Sequence, residues 1–202
     1  EHHYEAFDVH PDQLERAIAG VRALGIAGLN VTIPHKVNVM AYLDDVDSEA
    51  RAIGAVNTIV NESDRLIGYN TDGQGYLRSL LTLLLEPLSE KKVLIIGAGG
   101  AARAIVTAIA HHGVSKLSIT NRTQNKAKAL ADHARNFVPA DVVPIDAAED
   151  QIDRYDVIIN TTSVGMSPNI AQTPLSLNRL QPGTIVSDLI YNPLKTLWLS
   201  EA

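Results

Sequence analysis

Lys36 and Asp72 are the two ionisable residues whose settings best suit proton handling. Lys36 closes the run "NVTIPHK", where β-branched and apolar residues stop at Pro34, so His35 and Lys36 fall in a turn or helix start. Asp72 lies in "GYNTDGQG", at the point where a helical pattern begins. Asn30, Thr32, Asn57 and Thr71 add neutral donors and acceptors from the clusters "NVTIPHK", "GAVNTI" and "GYNTDGQG", a set suited to a small polyhydroxylated molecule. An ammonium and a carboxylate working together can protonate, or hydrogen-bond, an oxygen that gains charge during reaction. Each cluster also has a plainer reading: Asp72 as a helix N-cap, Asn57 and Thr58 as strand-end turn residues, Lys36 as a surface cation.

A second pattern concerns phosphate. In "KKVLIIGAGGAARAI" an apolar strand runs into Gly97, Gly99 and Ala102 at G-x-G-x-x-A spacing and then directly into a helix. The first glycine permits a tight turn, the second lets backbone approach a pyrophosphate, and the alanine lets the helix pack close while its N-terminal amides face the anion. The next strand, "KLSIT", ends in Asn121, Arg122 and Thr123, with Lys126 a turn later, where an NAD enzyme usually carries an acidic residue. A carboxylate there repels a ribose 2′-phosphate, whereas a guanidinium and an ammonium attract it. NADP is therefore favoured over NAD, against the plainer reading of Arg122 and Lys126 as solvated helix-start residues.

Strand-like and helix-like stretches alternate along the chain and must position these groups. Residues 4–9 ("YEAFDV") read as a strand, "PDQLERAIAGVRALG" as an amphipathic helix and "IAGLNVTI" as a strand. Residues 37–53 suggest two short helices joined around "DDVD", and "AVNTIV" and "RLIGYN" two strands joined by "NESD". A helix follows from Asp72, and "EPLSEKK" breaks the pattern, which puts a domain boundary between residues 86 and 87. Beyond it strands and helices alternate, with a loop before "YDVIINTT", the order of a parallel sheet made of βαβ units. The ends look cut: a strand begins at once, and the helix-like run from Pro193 has no stop signal.

Composition limits the setting. The chain has 202 residues, 46% of them hydrophobic, and a net charge of −6, enough for a sizeable core in one large or two small domains. The acidic balance, without a Lys/Arg block, argues against nucleic acid or an anionic membrane as partner. No run reaches the ~18 apolar residues of a membrane span, no signal peptide is evident, and cysteine is absent, so a cytoplasmic setting is the simplest expectation. No metal site is expected. The acidic residues Asp44, Asp45 and Asp47 lack calcium-loop spacing and read as a solvated face. His111 and His112 suit a helix end, and His35 a turn or packing role.

Taken together, "GLNVTIPHK", "AIGAVNTI", "GYNTDGQG", "GAGGAARA", "NRTQNKA", "NTTSVGM" and "DLIYNP" follow one another in the order and approximate spacing of the shikimate dehydrogenase family. The resemblance spans essentially the whole chain. It implies two α/β domains, an N-terminal substrate domain over residues 1–86 and a Rossmann-like parallel-sheet NADP-binding domain over 87–202. It implies reversible NADPH-dependent reduction of 3-dehydroshikimate in aromatic amino acid and chorismate biosynthesis, by a monomer or homodimer. A quinate/shikimate dehydrogenase acting on a related acid, or a non-catalytic NADP-binding module, are the alternatives. By resemblance, Lys36 and Asp72 form the catalytic pair, and Thr32, Asn57, Asp72 and Tyr191 contact the substrate. Gly97, Ala98, Gly99, Gly100 and Ala101 would hold the pyrophosphate, with Asn121, Arg122, Thr123 and Lys126 around the adenosine phosphate. Thr162, Ser163 and Leu189 would lie near the ribose and nicotinamide; the family often has methionine in place of Leu189.

Overall fold

A computed structural model describes residues 3–202. Contacts divide the chain into two units, Glu1–Thr71 and Asp72–Ala202.

In the first unit, helix α1 (Leu14–Ala23) buries Leu14, Ile18 and Val21, one stripe at helical spacing. That stripe packs with Val39, Ala50, Val56, Ile59 and Leu66. Full burial of such side chains contributes roughly 1.5–3 kcal/mol each. The sheet runs β1 (Gly28–Asn30), β3 (Thr58–Glu62), β4 (Arg65–Tyr69), β2 (Asp45–Val46), in that spatial order. Strands β3 and β4 form a hairpin whose two loop residues, Ser63 and Asp64, both have positive φ, as the tightest hairpin turns require. Helix α2 (Ser48–Ile53) follows β2, is capped by the Asp47 carboxylate on the Glu49 amide at 2.9 Å, and stops at Gly54 with φ 69°.

One expectation changes here, and two gain detail. Residues 4–9 belong to no strand of either sheet. "DDVD" does join two short helices, a 3-10 helix over Asn38–Tyr42 and α2, and it also holds the two-residue strand β2, parallel to β4. Its carboxylates have specific work. Asp44 accepts Arg22 Nη1 at 2.6 Å and the Leu66 amide at 2.7 Å, and this pairing with Arg22 holds its carboxyl below the usual range. Asp45 meets Arg51 at 3.1 Å.

The second unit begins with helix α3 (Asp72–Leu83). The break expected at residue 86 and the division by contacts differ by this one element. Gly73 explains why: a Cβ there would stand 2.5 Å from the Ala104 carbonyl oxygen, so α3 lies directly on the backbone of helix α4 (Gly100–His112). Five parallel strands follow in spatial order β7 (Ala140–Val142), β6 (Lys116–Thr120), β5 (Lys92–Ile96), β8 (Val157–Asn160), β9 (Ile185–Asp188). Strand β7 falls in the stretch read as loop; three residues are too few for periodicity to reveal. Helices α3, α4 and α5 (Gln124–Ala134) contribute to the core on one face, around Ile95, Ile105, Ile109, Leu117 and Ile159. The other face packs Leu94, Ile158 and Leu175 with helices α6 (Ile145–Asp150) and α7 (Leu197–Glu201). Trp198 of α7 is fully buried there and donates to the Leu175 carbonyl at 2.9 Å. No helix among the described residues is long and apolar enough to cross a membrane.

Candidate active site

In the first unit the polar residues gather where β1 and β4 end. After β1, the Val31 amide donates to the Asn57 carbonyl at 2.7 Å, and the His35 amide closes a turn onto the Thr32 carbonyl at 2.9 Å. The His35 ring is fastened by Nε2 to the Val9 carbonyl at 2.7 Å, a packing role. Lys36 comes next. Its carbonyl accepts the Val56 amide at 2.7 Å, which fixes its backbone one residue from Asn57.

Asn57 is only 8% exposed and bonds to its neighbours. Its Oδ1 accepts from the Thr71 amide at 3.1 Å and the Thr58 hydroxyl at 2.9 Å, and its Nδ2 donates to Thr71 Oγ1 at 3.0 Å. Asn70 Nδ2 donates to the Ala55 carbonyl at 2.9 Å, which pins the same corner from below. Buried amides must find partners, and here they find Thr58, Thr71 and the Ala55 carbonyl, while the backbone of Val31 and Lys36 bonds to that of Asn57 and Val56. Thr32 and Lys36 from one loop, and Asn57 from a distant one, thereby share one end of one sheet. Asp72, next after Thr71, is the first residue of α3.

In the second unit the other set lies at the carboxyl ends of the parallel strands. Strand β5 lies between β6 and β8, where the order of connections reverses, the place at which α/β sheets bind ligands. Gly97, leaving β5, has φ 115°, and a Cβ on it would meet Thr161 Oγ1 at 2.4 Å. Gly99 differs in kind: its φ of −88° suits any residue, and a Cβ on it would meet nothing within 4 Å. The space above Gly99 is therefore open, and no side chain caps the first turn of α4, leaving its amides for an anion. Ala98 is buried, Gly100 and Ala101 half-buried, and Ala102 fully buried against the sheet.

Beyond β6, Asn121 Nδ2 donates to the Thr123 carbonyl at 2.9 Å and shapes the loop. Arg122, Thr123 and Lys126 are exposed, Lys126 in the first turn of α5, and no acidic side chain occurs between Thr120 and Ala131. After β8, Thr162 and Ser163 begin a loop at the same edge, and Leu189 follows β9 with its amide on the Asn160 carbonyl at 3.1 Å. Tyr191 stands 84% exposed beyond it. These residues fit a dinucleotide phosphate by their donors: an open glycine cradle, an uncapped helix start and an acid-free basic loop.

Some supporting residues escaped sequence reasoning. Thr161 packs on Gly97 and doubly bonds the Ile96 carbonyl, by its amide at 2.9 Å and its hydroxyl at 2.7 Å. Asn160, fully buried, accepts the Thr162 amide at 3.0 Å and the Thr162 hydroxyl at 2.7 Å. The run of polar residues "NTTS" ending an apolar strand was the available signal.

Fold and site together define a two-unit α/β oxidoreductase that uses a dinucleotide phosphate. Residues 1–59 match the family described as shikimate dehydrogenase substrate binding domain, and residues 79–177 match shikimate / quinate 5-dehydrogenase. The chain is 56% identical over 200 residues to the shikimate dehydrogenase (NADP(+)) of Geobacillus sp. (strain WCH70), covering 99% of this chain and 72% of that relative. It is 51% identical to the enzyme of the same name from Bacillus subtilis (strain 168), over 99% of this chain and 71% of the relative. A solved shikimate dehydrogenase in complex with NADP+ superposes with a TM-score of 0.87 at 43% identity, over 98% of this chain and 69% of that one. The chain belongs to the shikimate dehydrogenase family.

Proposed function

We propose that this chain catalyses the reversible NADPH-dependent reduction of 3-dehydroshikimate to shikimate. The observation that carries the reading is the 51–56% identity, over nearly the full chain, to NADP-dependent shikimate dehydrogenases. It agrees with the absence of a carboxylate after β6, where NAD would need one.

The first unit supplies substrate-binding groups, with Thr32 and Asn57 as hydrogen-bonding residues; Tyr191, in the segment after β9, is a further substrate-binding residue. Gly97, Ala98, Gly99, Gly100 and Ala101 receive the pyrophosphate on backbone amides. Asn121, Arg122, Thr123 and Lys126 hold the 2′-phosphate, while Thr162, Ser163 and Leu189 line the nicotinamide side. When bound, NADPH supplies the hydride that the ring carbonyl carbon accepts. Lys36 gives its proton to the carbonyl oxygen as charge develops there, with Asp72 as its partner in proton handling. In the reverse direction the same pair takes the alcohol proton. The protein acts in the cytoplasm on a small acid, as a monomer or homodimer.

Steady-state rates with shikimate and quinate, each with NADP+ and NAD+, test this reading. The expected result is a kcat/KM highest for shikimate with NADP+. Tight NADP+ binding with no hydride transfer to either acid would show a binding module instead.

A further inference from the structure

Strands β8 and β9 are neighbours in register, Asn160 opposite Asp188, and both end at the edge where the cofactor groups gather. The Asp188 carboxylate is half-buried and accepts three donors from three different segments. Its Oδ1 takes Asn160 Nδ2 at 3.1 Å and the Ile190 amide at 3.0 Å; its Oδ2 takes the Thr196 hydroxyl at 2.9 Å. Asn160 passes the constraint on. With Nδ2 committed to Asp188, its Oδ1 must face Thr162, where it accepts both amide and hydroxyl. Thr162 Oγ1 in turn accepts the Val164 amide at 3.2 Å. One carboxylate thus sets the amide orientation of a buried asparagine, the conformation of residues 162–164 and the path of residues 189–191.

We propose that Asp188 is a positioning residue for hydride transfer, acting through Asn160 on Thr162 and Ser163 and through the Ile190 amide on Leu189 and Tyr191. The physical reason is the asymmetry of buried amides. Without an acceptor for Nδ2, apart from the Val164 carbonyl at 3.4 Å, the asparagine can turn over and present its NH₂ to the Thr162 amide, donor against donor. Both loops then lose their reference. The proposal rests on the reading above, which assigns these loops to the nicotinamide side.

Three variants test it in the full chain. Asp188→Ala is expected to lower kcat by on the order of tenfold to a hundredfold, the scale of a small misplacement of reacting groups. KM for shikimate stays near its original value, and the primary isotope effect with 4-deuterated NADPH rises as hydride transfer becomes slower. Asp188→Asn is expected to restore most of the rate, because one amide oxygen can still serve Asn160 and Ile190 while its NH₂ faces Thr196. Should the alanine variant not fold, Asp188→Glu, which keeps the charge but moves it by one methylene, takes its place with the same expected loss. Unchanged kcat and isotope effect in Asp188→Ala or Asp188→Glu, with only a lower melting temperature, would overturn the proposal and leave Asp188 a fastening of the fold. Absence of shikimate oxidation in the unaltered chain is a different result, and sinks the functional reading itself.

Discussion

Replacing Gly97 and Gly99, one at a time, by alanine separates folding from cofactor binding, because the two glycines are required for different reasons. At Gly97 the φ of 115° lies where an L side chain is strained, a cost on the order of 1–3 kcal/mol. The new methyl would also stand 2.4 Å from Thr161 Oγ1. That hydroxyl cannot step aside freely, since it donates to the Ile96 carbonyl at 2.7 Å and breaking such a bond costs about 1 kcal/mol. Gly97→Ala should therefore lose roughly 2–4 kcal/mol, a large part of a typical 5–15 kcal/mol stability. Gly99→Ala should lose none, since its backbone is ordinary and nothing lies within 4 Å of the added carbon. The gain of up to ~1 kcal/mol from the less flexible unfolded chain is offset by the poorer N-cap that alanine makes for α4, so the net change is expected to be near zero. Its cost appears on binding, where the methyl occupies the approach of the pyrophosphate: NADP+ affinity should fall on the order of tenfold or more, ~1.4 kcal/mol. Urea unfolding and a fluorescence titration with NADP+ on both variants are the assays. If Gly99→Ala unfolds early, or binds NADP+ as well as the original chain, the assignment of the two glycines is wrong.

Lys36→Ala should lower kcat by on the order of a hundredfold or more while NADP+ affinity stays unchanged, read by turnover and by titration. Arg122→Asp puts a carboxylate where the 2′-phosphate is expected; the ratio of kcat/KM with NADP+ to that with NAD+ should fall at least about tenfold. The seam between α4 and α5 is expected to be acid-sensitive. His133 Nε2 meets the buried Thr107 hydroxyl at 3.1 Å, and the His111 and Phe137 rings pack beside it. Burial first, then the charges of His111 and Arg103, lower the His133 pKa from its ordinary 6.5. A folded pKa below the unfolded one means that protonation favours the unfolded chain. Stability should hold above about pH 6.5 and decline as the pH falls below it. A melting-temperature profile from pH 5 to 8 should be flatter below 6.5 for His133→Gln than for the original chain.

The elements that carry most of the chemistry were legible because their signals are local. The strand before Gly97, the helix after it and the acid-free loop at Asn121 are written in neighbouring residues, since turn geometry, close packing and charge are decided within a few positions. The hairpin of β3 and β4, bracketing "NESD", was legible for the same reason. Residues 4–9 had the composition of a strand and did not form one, because a strand is a relation between two segments and composition describes only one of them. Strand β7 was too short to show a period. The grouping of α3 followed the missing side chain of Gly73, which lets one helix rest on the carbonyl of another and attaches Asp72 to the second unit.

What the sequence determined alone was therefore the kinds of chemistry to expect: a glycine turn suited to pyrophosphate, a preference for the extra phosphate, and polar clusters suited to a small polyhydroxylated molecule. Tertiary structure decided which residues act together. Asn57 meets Thr71, Thr161 rests on Gly97, and Asp188 governs Asn160 across 28 positions of chain. Those pairings depend on strand register and on the need of each buried polar group for a partner, and both conditions are met only after the chain has closed on itself.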